Sequence, residues 1–128
     1  MVTGLEMRVA HFPRRAPIDA YGNGGFRFAD MSHRGSILCL PSGIYGIEMA
    51  SPLPTEHDLA KVWEESETIE ILLVGTGKEL LRLPGALQEK LRNRFISTDS
   101  MSTGAAVRTF NVLLAEDRAV AALLFAVI

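Results

Sequence analysis

The sequence predicts an α/β fold: a three-layer single domain with a mixed central sheet, in which an N-terminal antiparallel meander precedes alternating helices and strands. Three observations predict it. Turn residues recur every few positions between Ile18 and Met49, leaving only short strand-length runs between them. From Ser51 onward, apolar residues at helical spacing alternate with continuous apolar runs, the pattern of strands joined by helical crossovers. The chain of 128 residues is 48% hydrophobic, enough to bury a core in one domain without metals or disulfides.

The elements follow in chain order. Residues 1–17 form an N-terminal arm or edge strand, because Pro13, Arg14, Arg15 and Pro17 disfavour a central position. Residues 18–128 make the domain. Turns at Gly22-Asn23-Gly24-Gly25, Ser32-His33-Arg34-Gly35 and Pro41-Ser42-Gly43 separate four strands, Ile18–Tyr21, Phe26–Asp30, Ser36–Leu40 and Ile44–Met49. Phe26 and Phe28 alternate with Arg27 and Ala29, the period of a half-buried strand. Leu59, Val62 and Trp63 mark a helix behind a Thr55 cap. Ile69 to Val74, apolar except for Glu70, reads as a central strand ending at Gly75-Thr76-Gly77. A helix from Pro84 carries Leu87 and Leu91 one turn apart, and a short strand spans Phe95 to Ser97. The longest helix runs from Thr103 to Ala115, and Ala119 to Val127 closes the sheet.

Composition narrows the function classes. Thirteen Lys and Arg against fifteen Asp and Glu give a net charge of -2, which argues against a nucleic-acid partner. No apolar run reaches the ~18 residues of a transmembrane segment, and the N-terminus lacks a secretory signal pattern. The single Cys39 forms no internal disulfide and fits a reducing, cytoplasmic compartment. It sits between Leu38 and Leu40, where a thiol packs rather than reacts. His11, His33 and His57 are far apart and have no partner at zinc-ligand spacing, so no metal and no cofactor is expected. Glu64, Glu65, Glu67 and Glu70 read as a solvated helix end and loop.

Two loops are candidates for binding. Gly75-Thr76-Gly77 follows a buried strand, where open α/β sheets place ligands, and its backbone N–H groups suit an anion. It is not a dinucleotide fingerprint, since Leu80 holds the third glycine position, and Lys78 follows Gly75 too soon for a P-loop. The loop Asp99 to Gly104 opens the next helix with Ser102 and Thr103 as hydroxyl donors. The loops Gly75–Lys78 and Asp99–Gly104 are expected to converge on one crevice, with Gly75, Thr76, Gly77, Ser102 and Thr103 around a small anion. On the longest helix, Ala106, Val107, Phe110, Leu113 and Leu114 face the sheet. Gly104, Arg108, Asn111 and Ala115 fall together on its flank, two hydrogen-bonding side chains framed by small residues that suit a protein partner.

The run from Ser102 to Ala122, with Val74-Gly75-Thr76-Gly77 upstream and Tyr21-Gly22-Asn23-Gly24-Gly25-Phe26 near the start, resembles a small domain-of-unknown-function family with an archaeal structural-genomics prototype. Its eukaryotic relatives include a mitochondrial respiratory complex I assembly factor and an adipogenesis-associated protein. The resemblance covers about Ile18 to Phe125 and implies a three-layer α/β fold; it delivers no mechanism, because no catalytic residues or cofactor are established for the family as a whole. The family's recurring positions map onto Gly75, Thr76, Gly77, Thr103, Ala106, Arg108, Thr109, Asn111, Glu116 and Arg118. The chain departs from the family pattern at Val107, where cysteine is frequent, at Phe110, where tyrosine is common, and at Ile47, where tryptophan is often seen. The missing thiol weakens thiol chemistry as a reading. Two functional expectations result. One is a non-catalytic interaction or assembly module linked to respiratory-complex or membrane-protein biogenesis, peripheral to the inner membrane. The alternative is binding of a small anionic ligand, or an enzyme activity, at the two loops.

Overall fold

The computed structural model describes residues 11–128, so the first ten residues of the expected arm lie outside the described residues. Two sheets form. The larger has six strands in the order β1-β6-β5-β9-β7-β8: β1 (His11–Phe12), β5 (Ser36–Leu40), β6 (Gly43–Ile47), β7 (Ile71–Gly75), β8 (Ser97–Met101) and β9 (Val120–Leu124). Its pairs β1·β6, β5·β6 and β5·β9 are antiparallel, whereas β7 runs parallel to both β8 and β9. The smaller is an antiparallel meander of β2 (Ala20–Gly22), β3 (Gly25–Phe28) and β4 (Met31–Arg34).

The expected meander therefore divides. Its last two strands join the mixed sheet, and its first part folds into a sheet of its own. Ser32-His33-Arg34, expected as a turn, is strand β4. The reversal lies one step earlier, where Ala29 and Asp30 both take left-handed backbone (φ 50° and 61°) in a tight hairpin. Sequence reasoning missed it because alanine carries no turn signal. Gly35, at φ 106°, then turns the chain from one sheet to the other.

Helices cover both faces of the large sheet: α1 (Ala60–Glu64) after a short 3₁₀ turn, α2 (Gly85–Asn93) and α3 (Thr103–Ala115). The three central strands are buried on both sides, and alternate residues serve different cores. Ile37, Cys39, Leu73, Val120, Ala122 and Leu124 pack beneath α3 and the meander, against Phe26, Phe28, Ala106, Val107 and Phe110. Leu38, Leu40, Leu72, Val74, Ala121 and Leu123 pack beneath α1 and α2, against Leu59, Val62, Leu87 and Leu91. Period-two alternation turns an apolar run into a wall between two cores, which makes three layers.

Candidate functional site

β8 and α3 meet without a loop. Asp99 to Met101, expected as loop residues, pair with Leu73, Val74 and Gly75 in the sheet, and Ser102 caps α3 directly, its hydroxyl accepting from the Ala105 N–H at 3.3 Å. The strand was misplaced toward Phe95 because Ser97-Thr98-Asp99-Ser100 is polar. It is an edge strand, and such a strand needs fewer apolar residues than a central one.

The two expected anion loops do come together, and they bind each other. The Gly77 N–H donates to Thr103 Oγ1 at 2.9 Å, and the Thr103 N–H returns a bond to the Gly77 carbonyl at 2.8 Å. The Thr103 hydroxyl donates onward to the Phe125 carbonyl at 2.7 Å, and the Phe125 N–H donates to the Gly75 carbonyl at 3.0 Å. The Thr76 N–H donates to the Met101 carbonyl at 2.9 Å, and Thr76 Oγ1 accepts from the Leu81 N–H at 3.0 Å while facing the Glu79 and Met101 carbonyls. Thr76 and Thr103 are buried. These groups tie β7, β8, α3 and the C-terminal segment at one corner, so their hydrogen bonds are spent within the fold. Gly75 is needed there, because a Cβ would lie 2.9 Å from the Thr103 Cα.

The α3 flank also divides. Gly104 is buried beneath Tyr21, whose hydroxyl occupies the space a Cβ would take. Asn111 is half-buried and bonded to the backbone of Ile18 through both ends of its amide, at 2.9 and 2.8 Å. Arg108 and Ala115 remain exposed, and between them stands Val112, 56% exposed. Arg108 and Val112 are one helical turn apart, so the solvent-facing stripe of α3 is Arg108, Val112 and Ala115. Val112 lay off the apolar arc of the helical projection, and that was the signal for it.

Cys39 is fully buried between the sheet's neighbours, and burial pushes its thiol far above the ordinary range. The histidines are dispersed: His11 stacks on Tyr45 with ring centroids 4.9 Å apart, His57 opens the 3₁₀ turn, and His33 lies in β4. Partial burial lowers the His33 pKa against a smaller opposing effect from its hydrogen bond with the Ser36 backbone.

A second site was not foreseen. α2 ends in a Schellman motif, with the Ile96 N–H donating to the Leu91 carbonyl at 3.0 Å and the Phe95 N–H to Arg92 at 2.9 Å. Phe95 occupies the position normally given to glycine, at φ 63°, and its side chain is 92% exposed. Beside it a groove of about 450 Å3 is lined by Gln88, Arg92, Phe95, Ile96, Ser97 and Thr98. The Thr98 hydroxyl is buried with no partner among the described residues.

Comparison with known proteins gives the chain its relatives. An uncharacterised protein from Rhodobacter capsulatus is 38% identical over 120 residues, covering 94% of this chain and 92% of that protein. The mouse NADH dehydrogenase [ubiquinone] 1 alpha subcomplex assembly factor 3 is 30% identical over 123 residues, which is 95% of this chain and 66% of the mouse protein's length. The crystal structure of an outer membrane protein from Bartonella henselae superposes with a TM-score of 0.90 at 74% identity, covering 91% of this chain and 99% of that one. No helix among the described residues is long and apolar enough to cross a membrane. Residues 18–125 match the family model of a protein of unknown function, DUF498/DUF598, and the chain belongs to that family.

Proposed function

We propose that this chain is a non-catalytic protein-interaction module that assists the assembly of a respiratory NADH dehydrogenase, working from the cytoplasmic side at the surface of the inner membrane, and that α3 presents one contact surface. The observation that carries the reading is the outer stripe of α3. Val112 is 56% exposed next to Arg108, on the helix whose opposite face is fully committed to the core. An isolated exposed valine is ordinary, but one flanked by an arginine's donor fork offers both an apolar contact and a polar anchor. The kinship with an assembly factor supports a protein as the occupant.

Deleting the gene in its own host tests this. The expected result is a reduced amount of assembled NADH dehydrogenase in membranes, restored by the wild-type chain but not by Val112→Asp at equal expression and with the same melting temperature. An unchanged level of the assembled enzyme after deletion overturns the reading.

A further inference from the structure

We infer that the free edge of β8 is a second docking surface, which takes an extended segment of another protein as an added strand carrying apolar residues on one face and basic residues on the other. The inference rests on the interaction reading above and assigns it a different surface.

The argument begins with the backbone. β8 is the last strand of the large sheet and pairs only with β7 among the described residues. The Ser97 N–H donates to the Glu70 carbonyl and the Met101 carbonyl accepts from Thr76, both at 2.9 Å. Because backbone polar groups alternate sides along a strand, Ser97, Asp99 and Met101 address β7, and Thr98 and Ser100 address the open edge. Two N–H donors and two carbonyl acceptors thus stand in line there. Neither proline nor lysine, the usual protections of an edge, occurs in Ser97–Met101.

Side chains beside that edge point the same way. Phe95 combines a left-handed backbone, a conformational cost to the folded chain, with a ring left almost wholly in water and contributing no burial to the fold. Asparagine or glycine would remove both. The groove it borders lies on the α2 side of the sheet, the side to which Thr98 and Ser100 project through their pairing with Leu72 and Val74. A strand laid on β8 would bury apolar side chains against Phe95 and Ile96 and bring polar backbone near the unpartnered Thr98 hydroxyl.

Charge selects the occupant. Asp99 is exposed on the opposite, α3 side. A second copy paired antiparallel through Thr98 and Ser100 would set Asp99 against Asp99 across the two-fold axis, a like-charge pair at the shortest cross-strand distance. A foreign strand with a basic residue opposite Asp99 meets no such conflict. The partner segment therefore alternates apolar and basic residues.

The test uses the isotopically labelled chain and two blocked peptides, Val-Lys-Val-Lys-Val and Val-Glu-Val-Glu-Val, followed by amide hydrogen exchange. The lysine peptide at millimolar concentration is expected to slow exchange at Thr98 and Ser100 by about tenfold, with the glutamate peptide giving little protection. Ser100→Pro, which removes an outward N–H that no described residue accepts, should abolish the effect while the chain stays folded. Phe95→Asn should raise the melting temperature and weaken peptide binding at least about threefold, opposite signs that a merely structural phenylalanine would not produce. Absence of protection with the lysine peptide overturns the inference, and equal protection by both peptides overturns its charge assignment. Neither result depends on the deletion phenotype, so the assembly reading and this surface fail separately.

Discussion

Asn111 holds the entry of the meander against α3: its Oδ1 accepts from the Ile18 N–H at 2.9 Å and its Nδ2 donates to the Ile18 carbonyl at 2.8 Å, a two-bond clamp between residues 93 apart in sequence. Ile18 is itself buried, so its backbone groups have no water to fall back on. Asn111→Ala leaves a donor and an acceptor unpaired and should destabilise by about 2 to 3 kcal/mol. Asn111→Asp should be no better, since a carboxylate cannot donate to the Ile18 carbonyl. Arg108→Ala, three residues away on exposed surface, should stay within about 0.5 kcal/mol. Thermal melting of the three variants checks the contrast. A near-neutral Asn111→Ala would mean the clamp holds nothing.

Gly75 and Gly104 look alike in the sequence and should respond differently to alanine. A Cβ at Gly75 meets the backbone of Thr103 at 2.9 Å, which cannot move without shifting α3, and the Leu124 side chain at 3.1 Å, which is packed in the core. At Gly104 it meets the end of Tyr21, a side chain 43% exposed and free to swing outward. Gly75→Ala should therefore cost about 1 to 3 kcal/mol, the usual penalty of overpacking. At Gly104 the loss of Tyr21 packing opposes a helix-propensity gain of about 1 kcal/mol, for a net change near zero. Denaturant unfolding distinguishes them, and equal costs would refute the difference in neighbours.

The layering was legible because it depends on periodicity. Leu38-Cys39-Leu40 and Leu72-Leu73-Val74, short apolar runs bounded by turn residues, read as buried strands, and Leu87 with Leu91, one turn apart, reads as the inner face of a helix. What stayed hidden depends on contacts between distant residues. Nothing at Asn111 announces Ile18, and nothing at Thr103 announces Gly77 and Phe125, so polar residues grouped by helical projection or by loop proximity looked available for a partner or an anion. Phe95 was hidden for another reason. A Schellman motif is normally recognised by glycine or asparagine, and phenylalanine in that position hides the helix end as well as the exposed ring.

Cys39 should make the protein alkali-sensitive. Burial raises the thiol's pKa in the folded state, whereas in the unfolded chain it ionises normally near about pH 8.5. Above that pH the unfolded state binds fewer protons than the folded one, so stability falls as pH rises, by up to about 1.4 kcal/mol per unit. Below it the contribution is flat. Cys39→Ala should lower stability at neutral pH through lost packing, yet flatten the decline between pH of about 9 and 10. Native-state labelling with a thiol reagent should be slow and accelerate on denaturation. Fast labelling would show a thiol within reach of solvent.

Thr103 separates the hydroxyl's structural work from the shape of its side chain. It is fully buried, it accepts from Gly77 at 2.9 Å, and it donates to Phe125 at 2.7 Å. Thr103→Val keeps the volume and removes both bonds, leaving the buried Gly77 N–H and the part-buried Phe125 carbonyl without this partner at a cost of about 2 to 3 kcal/mol. Thr103→Ser keeps both bonds and loses one methyl group, about 1 kcal/mol. The local signature is as informative as the total. In the valine variant the Gly77 amide should exchange much faster than its neighbours in β7, because its acceptor is gone while the strand's ladder persists. If Gly77 exchange is unchanged in Thr103→Val, the hydroxyl bonds add nothing to the backbone bonds that already join β7, β8 and α3, and the threonine hydroxyl is free to serve a ligand.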